Sequence, residues 1–485
     1  MDMPYMVASG EWMLDHGRLL SENVFSAIPF ESFSCQNWLG CVGMALVSRL
    51  GAIVGIGDWM LVVVHGLEVF AGAFLARRFA RRFVGPGPVL DVSSGVFVVA
   101  ILWTHCQVRV WSQVLFMLVM AFLLTDDVRR GAGVARLLAL PVMCLVCTNV
   151  QGSMGLLYAV CCAWLVAFDT SREHLGLTVV TCVLCILAGC ANPYFSELMR
   201  SSASLASGPI RPDEMRSVME ATLETGIPLF LCLGSCVGLL ACGVKGRPVA
   251  WHLVVMGLVS CVASMLFMRF LEFCIPIVFC VSARCWPEVV RRDDVKVRFA
   301  GEFLCVMACM CVACFAICLP GVFGNVRVMA RGLSGGPGYD EFRLRSAMYT
   351  YEIGQEALDA AGLSGPDCVV MTDDFCGSLL SRSGCRVTLS TNNENFAGRV
   401  VGGCEDYFMD LATSTPYGGD SNGSAVIENV RLDAVMLTSS KDSVLRWFED
   451  ELGWSRAYEI GDGLGVVMLL NPSPELTIAE QMHGR

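Results

Sequence analysis

Charge is what this sequence has little of: of 485 residues, only 16% are Asp, Glu, Lys or Arg, where a soluble domain carries about a quarter. That deficit argues against a chain dissolved wholly in water and points to lipid as solvent. Histidine is scarcer still, six in all, and no His/Cys grouping has the spacing of a metal site. No glycine-rich loop is placed to cradle phosphate, because Gly461-Asp-Gly-Leu-Gly465 has no helix after it and reads as a hairpin-type turn. A Ser/His/Asp arrangement is missing as well. The net charge is −11, which leaves nucleic acid without an electrostatic footprint. The first forty residues hold neither an apolar h-region nor a small-residue cleavage site, so they do not read as a signal peptide. These absences imply no cofactor and no metal.

What is present is apolar sequence in long runs: 55% of the chain is hydrophobic and the mean hydropathy is +0.59. A spanning helix needs about 20 mostly apolar residues. Runs near that length fall at 52–76, 88–104, 108–125, 133–149, 152–168, 175–191, 226–244, 249–268, 270–286 and 299–323. The run at 133–149 is the weakest, interrupted by Arg136 and Pro141. The predicted fold class is an α-helical polytopic membrane protein of about ten transmembrane helices with a small C-terminal α/β soluble domain. Alternate loops are basic, with Arg77, Arg78, Arg81 and Arg82 in the first and Arg284, Arg291, Arg292, Lys296 and Arg298 in the last. Basic loops face the cytoplasm, so both the first 50 residues and the tail are expected outside. Residues 36–50 place Trp38, Val42, Ala45, Leu46 and Leu50 on one helical face with Arg49 mid-run, the pattern of an amphipathic helix lying in the outer interface.

The tail carries the whole net charge: from Asn325 onward there are 12 Lys and Arg against 23 Asp and Glu, a difference of −11. The predicted organisation is an extracytoplasmic loop with an interfacial helix over 1–51, a helix bundle over 52–323, a Gly-rich linker over 324–339 and an extracytoplasmic α/β domain over 340–485, in a multi-pass plasma-membrane protein. Within the tail, Tyr351–Ala361 reads as a helix ended by Gly362. Cys368–Met371, Asp433–Leu437 and Gly465–Leu470 read as buried strands, and Val444, Leu445, Phe448 and Leu452 mark one side of a helix between the last two. Most of the 26 cysteines lie in apolar runs, where a thiol acts as a small hydrophobe. Cys368, Cys376, Cys385 and Cys404 are the exceptions; a disulfide among them requires the domain to lie outside, and the sequence does not say which would pair.

Candidate functional residues gather in the outer segments: Asp2, Glu11, His16, Gln36 and Asn37 before the first span, and Asn192, Tyr194 and Arg216 in the loop over 192–225. Arg109 and Arg269 sit at outer ends of spans, where a guanidinium anchors to the interface or binds a lipid-linked phosphate through paired donors. Asp126–Asp127 reads as charge balance in a basic loop and Asp373–Asp374 as a solvated turn.

The opening Asp2-Met-Pro-Tyr-Met-Val-Ala-Ser-Gly10-Glu-Trp-Met-Leu-Asp-His-Gly17 resembles the first external loop of bacterial GT-C-type membrane glycosyltransferases. Asn23-Val-Phe-Ser26 and Gln36-Asn-Trp-Leu39 are similar to later pieces of that loop. Asn149-Val-Gln-Gly152, Asn192-Pro-Tyr194 and Arg269-Phe-Leu-Glu-Phe-Cys-Ile-Pro276 extend the likeness along nearly the whole chain. The group is distantly similar to protein O-mannosyltransferases and lipid A aminoarabinose transferase. What the resemblance implies is sugar transfer from a polyprenyl-phosphate donor, in contact with membrane lipids, to an extracytoplasmic glycan or protein acceptor. Asp2 matches the family's general base, which takes the acceptor's hydroxyl proton. Arg269 is the best-matched donor-phosphate ligand, with Arg109 and Arg216 assigned by side and position.

Four departures stand against this. The family's His is Met6 here, an Asp is Asn23 and a Glu is Asn37. The family also has a spanning helix just before the loop, which leads to the expectation that the natural start lies upstream of Met1. Loss of these titratable groups supports a second reading, a non-catalytic membrane scaffold or assembly partner for surface polysaccharide. A transporter fits less well, because the spans are nearly free of mid-depth charge, Glu68 excepted, and the halves show no evident repeat.

Overall fold

The computed structural model describes residues 3–22, 24–26, 35–104, 111–170, 174–197, 199, 223–244, 249–266, 270–290, 352–388, 430–461 and 465–483. They fall into two compact units: one drawn from Met1–Leu61, Ser196–Ile210 and Gly324–Arg485, the other from Val62–Phe195 and Arg211–Phe323.

The first unit opens with two helices, α1 (Met3–His16) and α2 (Trp38–Ile53). Gly10 lets them touch: a Cβ there would lie 2.0 Å from the Cys41 carbonyl oxygen. The face of α2 buried against α1 holds Cys41, Met44, Ala45 and Ser48, while Leu46, Leu50 and Ile53 stay exposed, so the stretch is helical, with Ala45 on the buried side rather than on one face with Leu46 and Leu50. The segment before it, expected as a loop, is helical over Met3–His16, where α2 covers its buried side. The first expected span also starts later than residue 52. The chain turns between Ile53 and Trp59, with Gly55 at φ +80 and Gly57 at φ +54, a left-handed backbone that only glycine adopts without strain.

The tail forms a five-stranded sheet, β1 (Val369–Thr372), β2 (Arg386–Val387), β3 (Ala434–Thr438), β4 (Ser455–Ile460) and β5 (Val466–Leu470), in the order β2-β1-β3-β5-β4. β2, β1 and β3 are parallel; β3, β5 and β4 are antiparallel. Alternation along the strands sends Val370, Met436 and Met468 to one face, under the helix Glu352–Ala361, and Met371, Val435 and Leu469 to the other, under the helix Asp442–Asp450. The first of these helices ends at Gly362, φ +68, with Leu363 N donating to the Leu358 carbonyl (2.9 Å), a left-handed stop of the kind the sequence announces.

The second unit packs α3 (Trp59–Val84, from Val62 on), α4 (Pro88–Thr104), α5 (Trp111–Arg129), α6 (Ala139–Val150), α7 (Gly152–Asp169), α8 (Leu175–Gly189), α9 (Leu223–Val244), α10 (Trp251–Leu266) and α11 (Leu271–Val290). Each coincides with an apolar run read from sequence; the run at 299–323 lies outside the described residues. Arg136 and Pro141 have the expected effect, since a 3-10 turn over Val134–Leu138 replaces the first part of that run and leaves α6 with twelve residues. Among the described helices, Trp59–Val84 and Gly152–Asp169 are each long and apolar enough to cross a membrane, and several others are shorter and apolar. α8 exposes Leu175, Val179, Val180, Val183, Leu184 and Leu187, an apolar stripe along one side of the helix. Its other side meets α7 where a Cβ on Gly189 would press on Ala159, and Gly155 of α7 packs on Thr148 of α6, the close approach that membrane helices use.

Candidate functional site

Asp2, Arg109, Arg216 and Arg269 lie outside the described residues, as do Asn23 and Cys404. The described part of the opening segment begins with α1 at Met3.

In the first unit, Glu11 on α1 is one corner of a charged cluster. Arg382 Nη2 donates to Glu11 Oε1 (2.8 Å) and Arg382 Nη1 donates to Asp58 Oδ2 (2.6 Å). The Ser48 hydroxyl, from the buried face of α2, donates to the other Asp58 oxygen. The side chains of Arg382 and Asp58 are 13% and 7% exposed, so this is a largely dehydrated arrangement of two carboxylates around one guanidinium, with net charge −1. Arg382 belongs to the tail, two residues beyond the short helix Asp374–Leu380; Asp58 closes the glycine turn before α3. Arg49, mid-run in the sequence, reaches Asp15 (2.5 Å) in an exposed pair.

The same segment meets the tail by backbone. Val387 N donates to the Phe25 carbonyl (2.9 Å), and Ser26 bridges Val387 in parallel fashion. This pairing covers the edge strand β2. Phe25 is fixed from the other side by Tyr5, edge to face at 5.5 Å. Trp12 carries His16 stacked at 4.2 Å and the Arg18 guanidinium 5.2 Å from its ring centre, while His16 Nδ1 bonds the Trp12 carbonyl (2.9 Å). Gln36 is buried and Asn37 precedes α2, its carbonyl accepting from Cys41 N (2.9 Å). Met6 is buried as well.

In the second unit, Asn192 has a structural task. Its Nδ2 donates to the Thr148 carbonyl (2.7 Å), its Oδ1 accepts from Tyr194 N (2.9 Å), and Asn149 Nδ2 donates to the Ala191 carbonyl (2.9 Å). These bonds satisfy the last carbonyls of α6 and the turn after α8. At the opposite end of α7, Asp126 is 1% exposed and meets Arg82 (3.0 Å), Arg130 (2.7 Å), Arg284 (3.0 Å) and Arg129 (3.5 Å). Arg284 continues to Asp169 (3.1 Å), which also faces His252 (3.2 Å). Asp126 balances charge as its basic surroundings suggest, but does so as a buried hub, because α3 and α11 bring Arg82 and Arg284 to the end of α5. Asp373, expected in a solvated turn, lies inside the fold. It is buried, and its carboxylate accepts from Cys376 N (2.9 Å), Thr438 N (2.8 Å) and Thr438 Oγ1 (2.8 Å), capping one helix and tying it to β3. Glu68 accepts from Gln113 Nε2 (3.0 Å), the helix-packed polar group its position suggests.

No protein-family model matches the sequence, and no curated protein matches it. Solved structures do. The Archaeoglobus fulgidus oligosaccharyltransferase in the apo form aligns with 99% of this chain and 74% of its own at a TM-score of 0.51 and 12% identity. ArnT from Cupriavidus metallidurans, bound to undecaprenyl phosphate, aligns with 97% of this chain and 93% of its own, at 0.51 and 14%. The archaeal oligosaccharyltransferase AglB from Archaeoglobus fulgidus, in complex with an inhibitory peptide and a dolichol-phosphate, aligns with 99% and 73%, at 0.55 and 10%. The chain shares their fold. This is the GT-C fold that the motif resemblance implies, and it extends over both units.

Proposed function

We propose that this protein is a multi-pass membrane glycosyltransferase that moves a sugar from a polyprenyl-phosphate donor to an extracytoplasmic glycan or protein acceptor. The observation that carries the reading is fold likeness over 97% or more of the chain to enzymes solved with polyprenyl-type phosphates, together with the ordered motifs of its first 39 residues. About ten spans, with the ends of the chain outside, accommodate the apolar runs and the alternation of basic loops. Asp2 takes the proton of the acceptor hydroxyl. Arg269, with Arg109 and Arg216 as further candidates, offsets charge developing on the leaving phosphate. Glu11 is ion-paired with Arg382 and so shapes the loop rather than serving as a free base.

The test is complementation of a deletion strain. Asp2→Asn should abolish the surface glycan while the protein accumulates at its normal level, and an unchanged glycan would sink the catalytic assignment. A second reading, a non-catalytic scaffold, has one observation in its favour: Met6 is buried in α1, in a place where the related loop carries an ionisable group. It predicts that Asp2→Asn is silent and that deleting residues 340–485 removes function.

A further inference from the structure

Two of the tail's cysteines occupy neighbouring positions on adjacent strands. Val369 of β1 is the register partner of Arg386 of β2, so the residues one step earlier, Cys368 and Cys385, face each other across the same pair. The backbone is fixed there by Arg386 N donating to the Cys368 carbonyl (2.8 Å) and Thr388 N to the Val370 carbonyl (3.1 Å). Parallel strands lie about 4.8 Å apart, inside the Cα separation of roughly 4.4–6.8 Å that a disulfide spans. Alternation puts both side chains on one face of the sheet: Cys368 and Cys385 share the apolar cluster that also holds Val370 and Val387. They are 5% and 1% exposed, and their sulfurs are within hydrogen-bonding reach of each other. Cys376 shares that cluster but is set on the intervening helix, with its amide bonded to Asp373.

We propose that Cys368 and Cys385 form a disulfide in the mature protein. The proposal rests on the extracytoplasmic orientation of the tail, because only an oxidising compartment sustains such a bond. The step is thiol–disulfide exchange with an envelope protein disulfide. One thiolate attacks the oxidant's disulfide, the second displaces it, and the pair gives up two protons and two electrons while the oxidant leaves as a dithiol. Burial requires that this happen before the helix over 352–361 covers the face. In the folded domain the Cys368 thiol donates to Cys385 and brings the latter's pKa down to about 7, a further sign that the two sulfurs lie side by side. The loop so closed contains Arg382, so the bond would anchor covalently the segment that grips Glu11 and Asp58.

The experiment is peptide mapping of the full chain, extracted from membranes and alkylated before any reduction. A Cys368–Cys385 linked peptide that separates on reduction, with Cys376 alkylated, is the expected result. A parallel sample carries Glu475→Cys, an exposed tail position, probed with a membrane-impermeant maleimide on intact cells. Alkylated Cys368 and Cys385 in a chain whose position 475 is labelled from outside overturn the disulfide and leave the orientation standing. Labelling of position 475 only after the cells are opened overturns the orientation, and the disulfide with it. In Cys368→Ser, Cys385 should become alkylated; a new link from Cys385 to Cys376 would instead show that register does not select the pair.

Discussion

Arg382 joins three separate pieces of chain: the tail, α1 through Glu11, and the turn before α3 through Asp58. Removing one member of a buried ion pair leaves the other charge dehydrated and uncompensated, at a cost of about 3 kcal/mol. Arg382→Ala should therefore lower the thermal unfolding temperature of the detergent-purified protein by several degrees, with Arg382→Lys intermediate because one ammonium cannot fork to both carboxylates. An Ala variant that melts with the native chain would show the cluster to be idle. The same argument separates Asp126 from its neighbour. Asp126→Asn removes the carboxylate shared by Arg82, Arg130 and the 7%-exposed Arg284, which keeps only its contact with Asp169 among those named, and should cost about 3 kcal/mol. Asp127 is 30% exposed, and Asp127→Asn should cost no more than about 1 kcal/mol. Equal losses would contradict the hub. None of these contacts is legible in sequence. Arg382, Asp58 and Asp126 carry no motif, and apart from Ser48, Arg129 and Arg130 the partners named for them lie between 44 and 371 positions away.

Helices of the bundle were legible, because a run of apolar residues in lipid has one solution, and their ends followed Gly, Pro and Arg. The tail strands β1, β3 and β5 were also legible as short runs of Val, Met and Leu. β2, with two residues, and β4, Ser455–Ile460, half exposed and bearing Arg456 and Glu459, were not, since an edge strand shows no apolar signature. The helicity of α1 escaped for a related reason: its buried side is defined by α2, and its contact point is a glycine. Gly10→Ala should push the helices apart, as its Cβ would overlap the Cys41 carbonyl, and should impair both stability and glycan complementation. Gly43→Ala, on α2 with open space around it, should instead stabilise by about 0.5–1 kcal/mol through helix propensity. Thermal unfolding of the two variants checks the pair, and loss of stability in both would contradict the packing described.

Across the whole molecule, one physical division organises the sequence: an apolar part without net charge and an acidic tail. Fold likeness to three solved membrane glycosyltransferase structures spans both, although identity is at most 14% among them. That level of identity explains why short ordered motifs could suggest the fold while no motif could fix the donor. The orientation predicts that alkaline phosphatase fused after the C-terminus is active and that a fusion after Asp127 is inactive; the reverse pattern would invert the topology. The central claim, that the protein consumes a polyprenyl-phosphate sugar, is tested most directly by mass spectrometry of the lipid-linked sugars in membranes from cells with the native chain, with Asp2→Asn and with the gene deleted. The account predicts that one polyprenyl-phosphate sugar accumulates in both altered strains. A lipid pool unchanged by deletion would contradict it.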